Sequence, residues 1–525
     1  MDGSISQESA VSAFSTAIVA RSCSLFLDSG PKTRAPATDL PTEILLRIFR
    51  LVYAENISLQ RESFYSDVVC EDWTHEEPLS PTLFPFAVAA VCSRWCDVAA
   101  TIPEFWTRMT VTVDKSPTDI SAIRACLRWS RSLPLDITVT RSVIDHNIPD
   151  EVECQRAQNV RALLRPHLNR IRRLHISVLH SATLPFLFTN LDGPAKLLQS
   201  LKLASAIDDG DSTRTRPSRG FLVAPVLDTL DIGGRCLQDG LLQKPAQTAL
   251  MSKITSVNIS RYRPSGANAE GLSLWQTLRT LSQLPVLDDL TLCDVHFDTN
   301  QNALVGATFS LSRLQTLAFE KLDNSHILKI VFAVLITARL SSTIITDCKV
   351  NNLGRICFTD YLTFENMDVS KNFINMLRHW NGSSLTLDNC AGVDDGFFDV
   401  MTRPFKSTSE DECYIAPRMT KLRLLNCDRF TAPALKRFIQ ARVRAASAPQ
   451  WGFLNPQATE SDEEDMLTMN TKAIGWLDVR GRGPVIPKAD AAWLSEHVGM
   501  FSWDALQPDG KRCVVEYYST KVVVK

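Results

Sequence analysis

One apolar spacing recurs along most of this chain and constrains its fold more than any other feature. Apolar residues at positions i, i+3 and i+5 form seven triplets, and the last two members of each triplet are flanked by mostly polar or small residues, as a strand with one buried face requires. The first six triplets begin at intervals of 27, 29, 27, 33 and 27 residues, and the seventh begins 105 residues after the sixth. The triplets are Ile171-Leu174-Ile176, Leu198-Leu201-Leu203, Leu227-Leu230-Ile232, Ile254-Val257-Ile259, Leu287-Leu290-Leu292, Leu314-Leu317-Phe319 and Met419-Leu422-Leu424. The long gap is close to four intervals, so we expect about three irregular units there, with strands at Ser341–Thr346 and Gly382–Leu387 in two of them.

The segments between triplets have the spacing of helices instead. Two apolar stripes recur every three or four residues, which predicts two helices with one buried face. They comprise Leu274, Leu278, Leu281 and Leu284, and then Ile327, Ile330, Val331, Val334 and Leu335. Pro225 and Pro285 stand just before strands, where they end the preceding helix or loop. Strand, turn, helix and turn therefore alternate, which predicts an α/β fold with a parallel sheet and helices outside it.

A unit of this length with an L-x-x-L-x-L core resembles the leucine-rich repeat. The resemblance implies a curved solenoid with parallel strands on the concave face and helices outside. The alternative is an ordinary α/β domain with scattered leucines, and the nearly constant interval argues against it. Upstream, Met109–Val113 and Leu135–Val139 alternate like strands, with a helix predicted at Ile120–Arg131 between them. These segments fit irregular opening units that cap the solenoid.

The part of the chain before the repeats, residues 40–106, has a different, helical pattern. Five apolar residues lie on one face of a predicted first helix: Ile44, Leu45, Ile48, Phe49 and Val52. A second apolar helix is predicted at 87–100, where Val91, Trp95 and Val98 share a face. A unit this small buries little of its own surface, so apolar side chains remain available to a partner. On pattern alone, two ordinary core helices of a larger domain explain the segment equally well.

The residues of this segment resemble the F-box, a short helical module that joins a substrate receptor to a cullin-RING ubiquitin ligase. The F-box pattern is Leu-Pro-x-Glu-Ile-Leu, an apolar pair, Val-Cys-x-x-Trp and a terminal Trp. The matching positions are Leu40, Pro41, Glu43, Ile44, Leu45, Ile48, Phe49, Val91, Cys92, Trp95 and Trp106. One departure is an insertion at about 55–80 between the first and second helices, which carries seven carboxylates and one arginine. We expect an exposed acidic loop there, since long surface insertions cost little entropy.

An F-box followed by leucine-rich repeats is similar to the F-box/leucine-rich-repeat proteins, a class that is greatly expanded in fungi. The resemblance implies that the short helical F-box binds a Skp-type adaptor and, through it, a cullin and a RING protein. It further implies that the repeats recruit a target protein for ubiquitination. The implied adaptor-binding residues are Leu40, Pro41, Ile44, Leu45, Ile48, Phe49, Val91, Cys92, Trp95 and Trp106. Most would supply apolar anchors, and Leu40-Pro41 would set the start of the first helix.

The predicted open face of the repeat strands carries charges of both signs. Arg173, His175 and Lys202 lie toward one end, whereas Asp231, Asp289 and Glu320 lie further along. A face of mixed sign suits a protein or peptide, so we expect these six residues to contact the target. Two other functions stay open: an interaction scaffold that does not act in a ubiquitin ligase, and a repeat protein whose F-box is degenerate.

Four regions follow from these patterns. We expect a disordered leader rich in Ser, Ala and Thr at 1–37, the F-box with its acidic insertion at 38–107, and the solenoid with irregular opening units at 108–445. We expect residues 446–525 to form an acidic linker and a cap, with an acidic run at Glu460–Asp465 and a strand-like segment at Cys513–Tyr518.

Composition and missing motifs narrow the function classes. A net charge of −2 and a pI near 6.5 give no basic footprint for nucleic acid or an anionic membrane. The 14 cysteines include no Cys-x-x-Cys pair, which predicts reduced thiols in the cytoplasm and/or nucleus and no metal site. No phosphate-binding glycine loop, H-E-x-x-H or G-x-S-x-G motif occurs. We therefore expect no catalytic residue, no cofactor and no enzymatic activity.

Overall fold

The computed structural model of the chain describes residues 40–62, 84–114, 116–141, 152–185, 191, 193–208, 222–242, 251–263, 271–298, 311–335, 340–350, 359–368, 371–378, 380–406, 412–447, 471–506 and 512–518. The predicted leader 1–37 and the acidic run Glu460–Asp465 lie outside these residues. The chain divides into two compact units, Met1–Ile254 with Pro264–Ala269 and Thr255–Arg263 with Glu270–Lys525. Each unit combines helices with a mostly parallel sheet, so the predicted α/β class is confirmed.

The first unit opens with three helices and a 3₁₀ turn. They are α1 (Thr42–Glu62), α2 (Phe86–Ala89), α3 (Ser93–Ala100) and the turn Pro103–Trp106. The single helix predicted at 87–100 is wrong, because Cys92 has extended backbone and forms the N-cap of α3. Ser93 follows, a residue type that favours helix starts over helix interiors. Since α1 reaches Glu62, the first part of the insertion predicted as a loop is helical, whereas residues 63–80 lie outside the described part.

Five parallel strands form the sheet of the first unit, and strands consecutive in this series are neighbours. They are β1 (Arg108–Thr112), β2 (Leu135–Thr140), β3 (Ile171–His180), β4 (Ser200–Ile207) and β5 (Thr229–Gly233). The helices that follow α3 are α4 (Ile120–Trp129), α5 (Glu153–Leu164) and α6 (Gly234–Asp239), with 3₁₀ turns at Arg165–Arg170 and Ser181–Thr183. The triplets are in register: Leu174 pairs with Leu201, and Leu201 with Leu230. Their buried side chains therefore form a continuous core on one face of the sheet.

The second unit repeats this arrangement with nine parallel strands and one antiparallel edge strand. The strands are β6 (Ser256–Tyr262), β7 (Asp289–Val295), β8 (Thr316–Glu320), β9 (Leu340–Thr346), β10 (Thr359–Glu365), β11 (Ser384–Asp388), β12 (Lys421–Leu425), β13 (Trp476–Arg482), β14 (Met500–Leu506) and the antiparallel β15 (Arg512–Tyr518). The helices are α7 (Leu274–Leu281), α8 (Ser325–Val334), α9 (Lys371–Arg378), α10 (Asp395–Met401), α11 (Ala432–Ser447) and α12 (Lys488–His497). Helices cover the triplet face, since Phe332 of α8 lies 5.6 Å from Phe319 of β8 between ring centroids.

Short two-residue strands pair within the connections of the described chain. Gly193–Pro194 pairs with Leu222–Val223 and Leu272–Ser273 with Phe297–Asp298, both in parallel, whereas Phe405–Lys406 pairs with Glu412–Cys413 in antiparallel fashion. They tie connections to each other and add nothing to the main sheets.

All seven predicted triplets lie at main-sheet strands of the two units, as do the two irregular segments expected at 341–346 and 382–387. The third irregular strand is β10, where buried Thr359 takes the place of the first apolar residue. The region expected to be a linker and cap, 446–525, needs correction. The triplet spacing continues there as Ile474-Leu477-Val479 and Val498-Phe501-Trp503, which form β13 and β14. The predicted strand at Cys513–Tyr518 is confirmed as β15.

A left-handed residue lies at the end of many strands of the second unit, either next to last in the strand or directly after it. The non-glycine residues in this position have φ between 49° and 54° and are Arg261, Asp294, Lys321, Asp347, Asn366, Asn389 and Asn426. Asn and Asp tolerate this conformation better than other side chains. The main-chain N–H of Asn389 donates to the Leu425 carbonyl at 2.8 Å, and the main-chain N–H of Asn426 donates to the Arg480 carbonyl at 2.8 Å. The turns after β11 and β12 are therefore held to the next strand in the same way.

Candidate interaction surfaces

The helical segment 40–106 has a core of its own, built from α1 and α3. Leu45 and Phe49 of α1 are buried, and the Phe49 ring meets the Trp95 ring of α3 edge to face at 5.1 Å. The Arg94 guanidinium donates a hydrogen bond to the Leu40 carbonyl at 2.5 Å. These contacts fix the start of α1 against α3.

Trp106 ends this segment and joins it to the first sheet. Its side chain is 2% exposed, and its indole N–H donates to the Ala99 carbonyl at 2.9 Å. Its ring lies 4.5 Å from the ring of Trp129 in α4 and 6.1 Å from that of Phe86. The tryptophan pair therefore packs the helical segment against the helix between β1 and β2.

A second aromatic cluster links α1 to the 3₁₀ turn. The Phe105 ring lies 5.0 Å from Tyr53 and 4.5 Å from Phe84 between centroids. The Tyr53 hydroxyl donates to the Glu104 carbonyl at 3.2 Å, and burial raises the pKa of that hydroxyl. These contacts hold the middle of α1 against the 3₁₀ turn.

Burial corrects part of the predicted adaptor-binding set. Leu45, Phe49 and Trp106 are at most 2% exposed, so these side chains stabilise the segment and offer a partner no surface. Among the other predicted residues, Pro41 is exposed, whereas Leu40, Cys92 and Trp95 are partly buried.

The remaining predicted residues lie on an exposed apolar surface. We name Ile44, Ile48, Leu51 and Val52 the α1 stripe; they recur at helical spacing and are 45%, 38%, 63% and 38% exposed. Val91, between α2 and α3, is 54% exposed. Leu51 was missed from sequence, although it lies seven residues after Ile44 and therefore on the same side of the helix. Large apolar side chains grouped in this way on a surface indicate a binding site.

The first unit brings together four of the six predicted target-binding residues. His175, Lys202 and Asp231 occupy the same position on adjacent strands β3, β4 and β5. The Lys202 ammonium lies 3.0 Å from the Asp231 carboxylate, and a His175 ring nitrogen lies 3.1 Å from the Ser200 hydroxyl. The ion pair between Lys202 and Asp231 offsets their two charges, so the Arg173 guanidinium is the remaining fixed positive charge among these four residues.

The other two predicted residues, Asp289 and Glu320, belong to the second unit and lie in different rows of its sheet. Asp289 pairs with Thr316, and Glu320 pairs with Cys293. The Lys321 ammonium lies 2.7 Å from the Glu320 carboxylate, and this hydrogen bond lowers the pKa of Glu320. Burial is the main cause that raises the pKa of the Cys293 thiol to about 12. The six predicted residues are therefore divided between the two units, and the two in the second unit lie four positions apart along their strands.

No model of a protein family matches this chain, and no curated protein matches its sequence. In the described ranges, no group of three or more His, Cys, Asp or Glu side chains is arranged to hold a metal ion. None of the helices described is long and apolar enough to cross a bilayer.

Proposed function

We propose that this chain is a substrate receptor of a cullin-RING ubiquitin ligase. In this proposal the helical segment acts as an F-box that binds a Skp-type adaptor, and the following strand–helix units act as leucine-rich repeats that hold a target protein. The observation that carries the proposal is the α1 stripe, together with the F-box residues around it. Burial of such a stripe against a partner stabilises the complex by about 25 cal/mol for each Å² of apolar surface removed from water.

In this proposal the exposed residues of the helical segment bind the adaptor and the buried ones stabilise the position of α1. The α1 stripe and Val91 contact the adaptor, while Leu45, Phe49 and Trp106 keep α1 in place. A partner with an apolar groove fits such a helix, because a helix lays its i, i+4 and i+7 side chains into a groove as anchors. Exposed Arg47 and Arg50 lie between the apolar positions of α1 and provide charged flanks to this contact.

The chemistry proposed for the chain is recruitment without catalysis. A target bound to the repeats is held near a conjugating enzyme carried by the cullin and RING proteins, and this raises its effective concentration without a reactive group on the receptor. The buried thiols of the second unit agree with this role. Burial is the main cause that raises the pKa of Cys348 to about 11, Cys390 to about 12 and Cys427 to about 11. Such thiols stay protonated near neutral pH and are poor nucleophiles.

The packing of Trp106 on Trp129 favours a second candidate function. The helical segment would then be an N-terminal cap that covers the end of the first sheet, and the chain would be a leucine-rich-repeat scaffold outside ubiquitin ligases. Terminal units of repeat proteins commonly need such caps. The two candidates differ in what they require of the α1 stripe, which only the receptor must keep apolar.

Co-purification with a Skp-type adaptor tests the proposal. The wild-type chain is compared with Ile44→Glu/Ile48→Glu, which places two carboxylates in the stripe. Leu197→Glu/Val226→Glu is the matched control, since both residues are 42% exposed and lie outside the helical segment. We expect the wild type and the control to retain the adaptor and the stripe variant to lose it. Failure of the folded wild type to retain the adaptor would reject the receptor function and leave the scaffold.

A further inference from the structure

An aromatic and cationic surface lies on the open face of the second unit's sheet. Tyr361, Ser384, Lys421, Trp476 and Met500 occupy one row across five neighbouring strands, β10 to β14. We name Tyr361, Lys421, Arg423, Trp476 and Met500 the β10–β14 patch. Tyr361 and Met500 are 45% and 46% exposed, so the row offers large apolar surfaces on both sides of Lys421.

Lys421 is the central charge of the β10–β14 patch. Its ammonium lies 5.9 Å from the Tyr361 ring centroid and 5.3 Å from that of Trp476, a spacing at which both ring faces attract the cation. No carboxylate of the described residues forms an ion pair with it. The rings therefore fix the ammonium in position while its N–H donors remain available to an anionic group.

Arg423 adds a second cation beside the same tryptophan. Its guanidinium carbon lies 6.0 Å from the Trp476 ring centroid, and its Nε donates to the buried Asp478 carboxylate at 3.2 Å. Arg480 donates to the other oxygen of Asp478 at 2.8 Å. One carboxylate is thus shared between two guanidinium groups, so these three residues and Lys421 carry a net charge of +2.

A buried polar atom beside these cations also lacks a partner. The Ser502 hydroxyl, whose residue pairs with Asp478 across β13 and β14, is buried and makes no hydrogen bond within the described chain. Leaving a buried hydroxyl without a partner costs free energy, and a hydrogen bond to a bound main-chain or side-chain group would recover that cost. The patch therefore combines net positive charge, two exposed apolar side chains and an unsatisfied hydroxyl.

Acidic residues at the far ends of the same strands limit what the patch can bind. Glu365 of β10 and Asp388 of β11 share one row, two positions beyond the row of Thr363 and Thr386 and four beyond that of Tyr361. A long polyanion such as nucleic acid would meet these carboxylates, whereas an extended peptide can confine its negative charge to the Lys421 end. The charge pattern thus favours a peptide.

We propose that the β10–β14 patch binds an extended acidic peptide segment that includes a large apolar side chain. Its carboxylates contact Lys421 and Arg423, and its apolar side chain packs on Tyr361, Trp476 and Met500. This inference rests on the proposed function only in assigning the segment to the target protein. The chemistry of recognition is independent of adaptor binding.

The test is selection from a randomised twelve-residue peptide library on the immobilised full-length chain, followed by measurement of Kd for the enriched peptides. We expect enrichment of Asp and Glu together with one apolar or aromatic position. Lys421→Glu should weaken the enriched peptides at least tenfold, and Trp476→Ala should do the same. Lys253→Glu is the matched control, because this exposed lysine lies outside the patch. Circular dichroism of each variant checks that the fold is intact.

Two outcomes overturn the inference: selected peptides without excess Asp and Glu, or acidic peptides that bind folded Lys421→Glu as tightly as wild type. Lys421→Met separates charge from packing, since it keeps an apolar stem of similar length. We expect it to lose affinity for acidic peptides, and unchanged affinity would contradict the role of the ammonium. The Ile44→Glu/Ile48→Glu variant should bind the peptides normally, so failure of the adaptor proposal and failure of the peptide proposal are distinguishable.

Discussion

Replacement of Trp106 tests whether this residue stabilises the helical segment, in contrast to the exposed α1 stripe, which is proposed to bind a partner. Trp106 is 2% exposed and packs on Trp129, so Trp106→Ala leaves a cavity between the helical segment and α4. Truncation of a buried aromatic side chain costs about 3–5 kcal/mol, and we expect a loss of stability in that range. The lost indole hydrogen bond contributes little, because the Ala99 carbonyl also accepts from the Ile102 N–H at 3.0 Å.

The assay is hydrogen–deuterium exchange of the α1 and α4 amides, read by mass spectrometry. A loss of about 3–5 kcal/mol raises the opening equilibrium by about 150-fold to 5,000-fold, and exchange through that opening should accelerate accordingly. Trp106→Phe fills most of the cavity and should cost less than half as much. Ile48→Glu is the surface comparison, with a change expected within about 0.5 kcal/mol of wild type. Wild-type exchange in Trp106→Ala would refute the packing argument.

Two further predictions concern buried charges. Arg442 is fully buried and donates hydrogen bonds of 3.0–3.2 Å to the carbonyls of Ile415, Ala416, Pro417, Met419 and Lys472. The Ala416 and Pro417 carbonyls also accept from main-chain N–H groups, so Arg442→Met removes the donor from at most three carbonyls. Each carbonyl left unsatisfied costs about 1–3 kcal/mol, so we expect Arg442→Met to lower the free energy of unfolding in urea by about 3–5 kcal/mol and Arg442→Lys by less. Equal stability of all three proteins would contradict this. Glu153 is buried, and its pKa is raised chiefly by that burial, so the folded state binds a proton at a higher pH than the unfolded state. Protonation of Glu153 therefore stabilises the folded state increasingly as the pH falls from neutral toward the ordinary pKa of 4.5. This stabilisation is lost as the pH rises through the folded-state pKa. Urea unfolding of wild type and Glu153→Gln at several pH values should show the difference moving in favour of the wild type at lower pH, and a pH-independent difference would be the contrary result.

The strands could be predicted because their burial has period two and their spacing is nearly constant. The core positions Leu201, Leu230 and Leu290 illustrate this, since each is buried between half-exposed neighbours. Strands β13 and β14 carry the same spacing and were missed, because 55 residues separate Met419 from Ile474 and the regular interval is lost. A search for the triplet alone, without a required interval, finds them.

The face of α1 that points inward could not be predicted from periodicity. Ile44 and Leu45 are neighbours on the helix, as are Ile48 and Phe49. In the sequence all four belong to one wide apolar face. Which member of each pair is buried depends on where α3 and the 3₁₀ turn pack. That is tertiary information, and it moved Leu45 and Phe49 from the expected binding surface into the core.

Charge pairing on the open faces was accessible from sequence in part. Lys202 and Asp231 hold the same place in consecutive units, four residues after the first triplet member, so their contact follows from the repeat. Lys421 and Trp476 also share a position, two residues after the first triplet member. Their adjacency escaped prediction because the unit that contains Trp476 was not recognised.

The most direct test of the receptor proposal is calorimetric titration of a purified Skp-type adaptor into the purified full-length chain. We expect one-to-one binding with a negative heat-capacity change, as burial of the apolar α1 stripe requires. We also expect at least tenfold weaker binding to Ile44→Glu/Ile48→Glu. No binding to the folded wild type, or equal affinity for the variant, would contradict the assignment of the α1 stripe as the adaptor site.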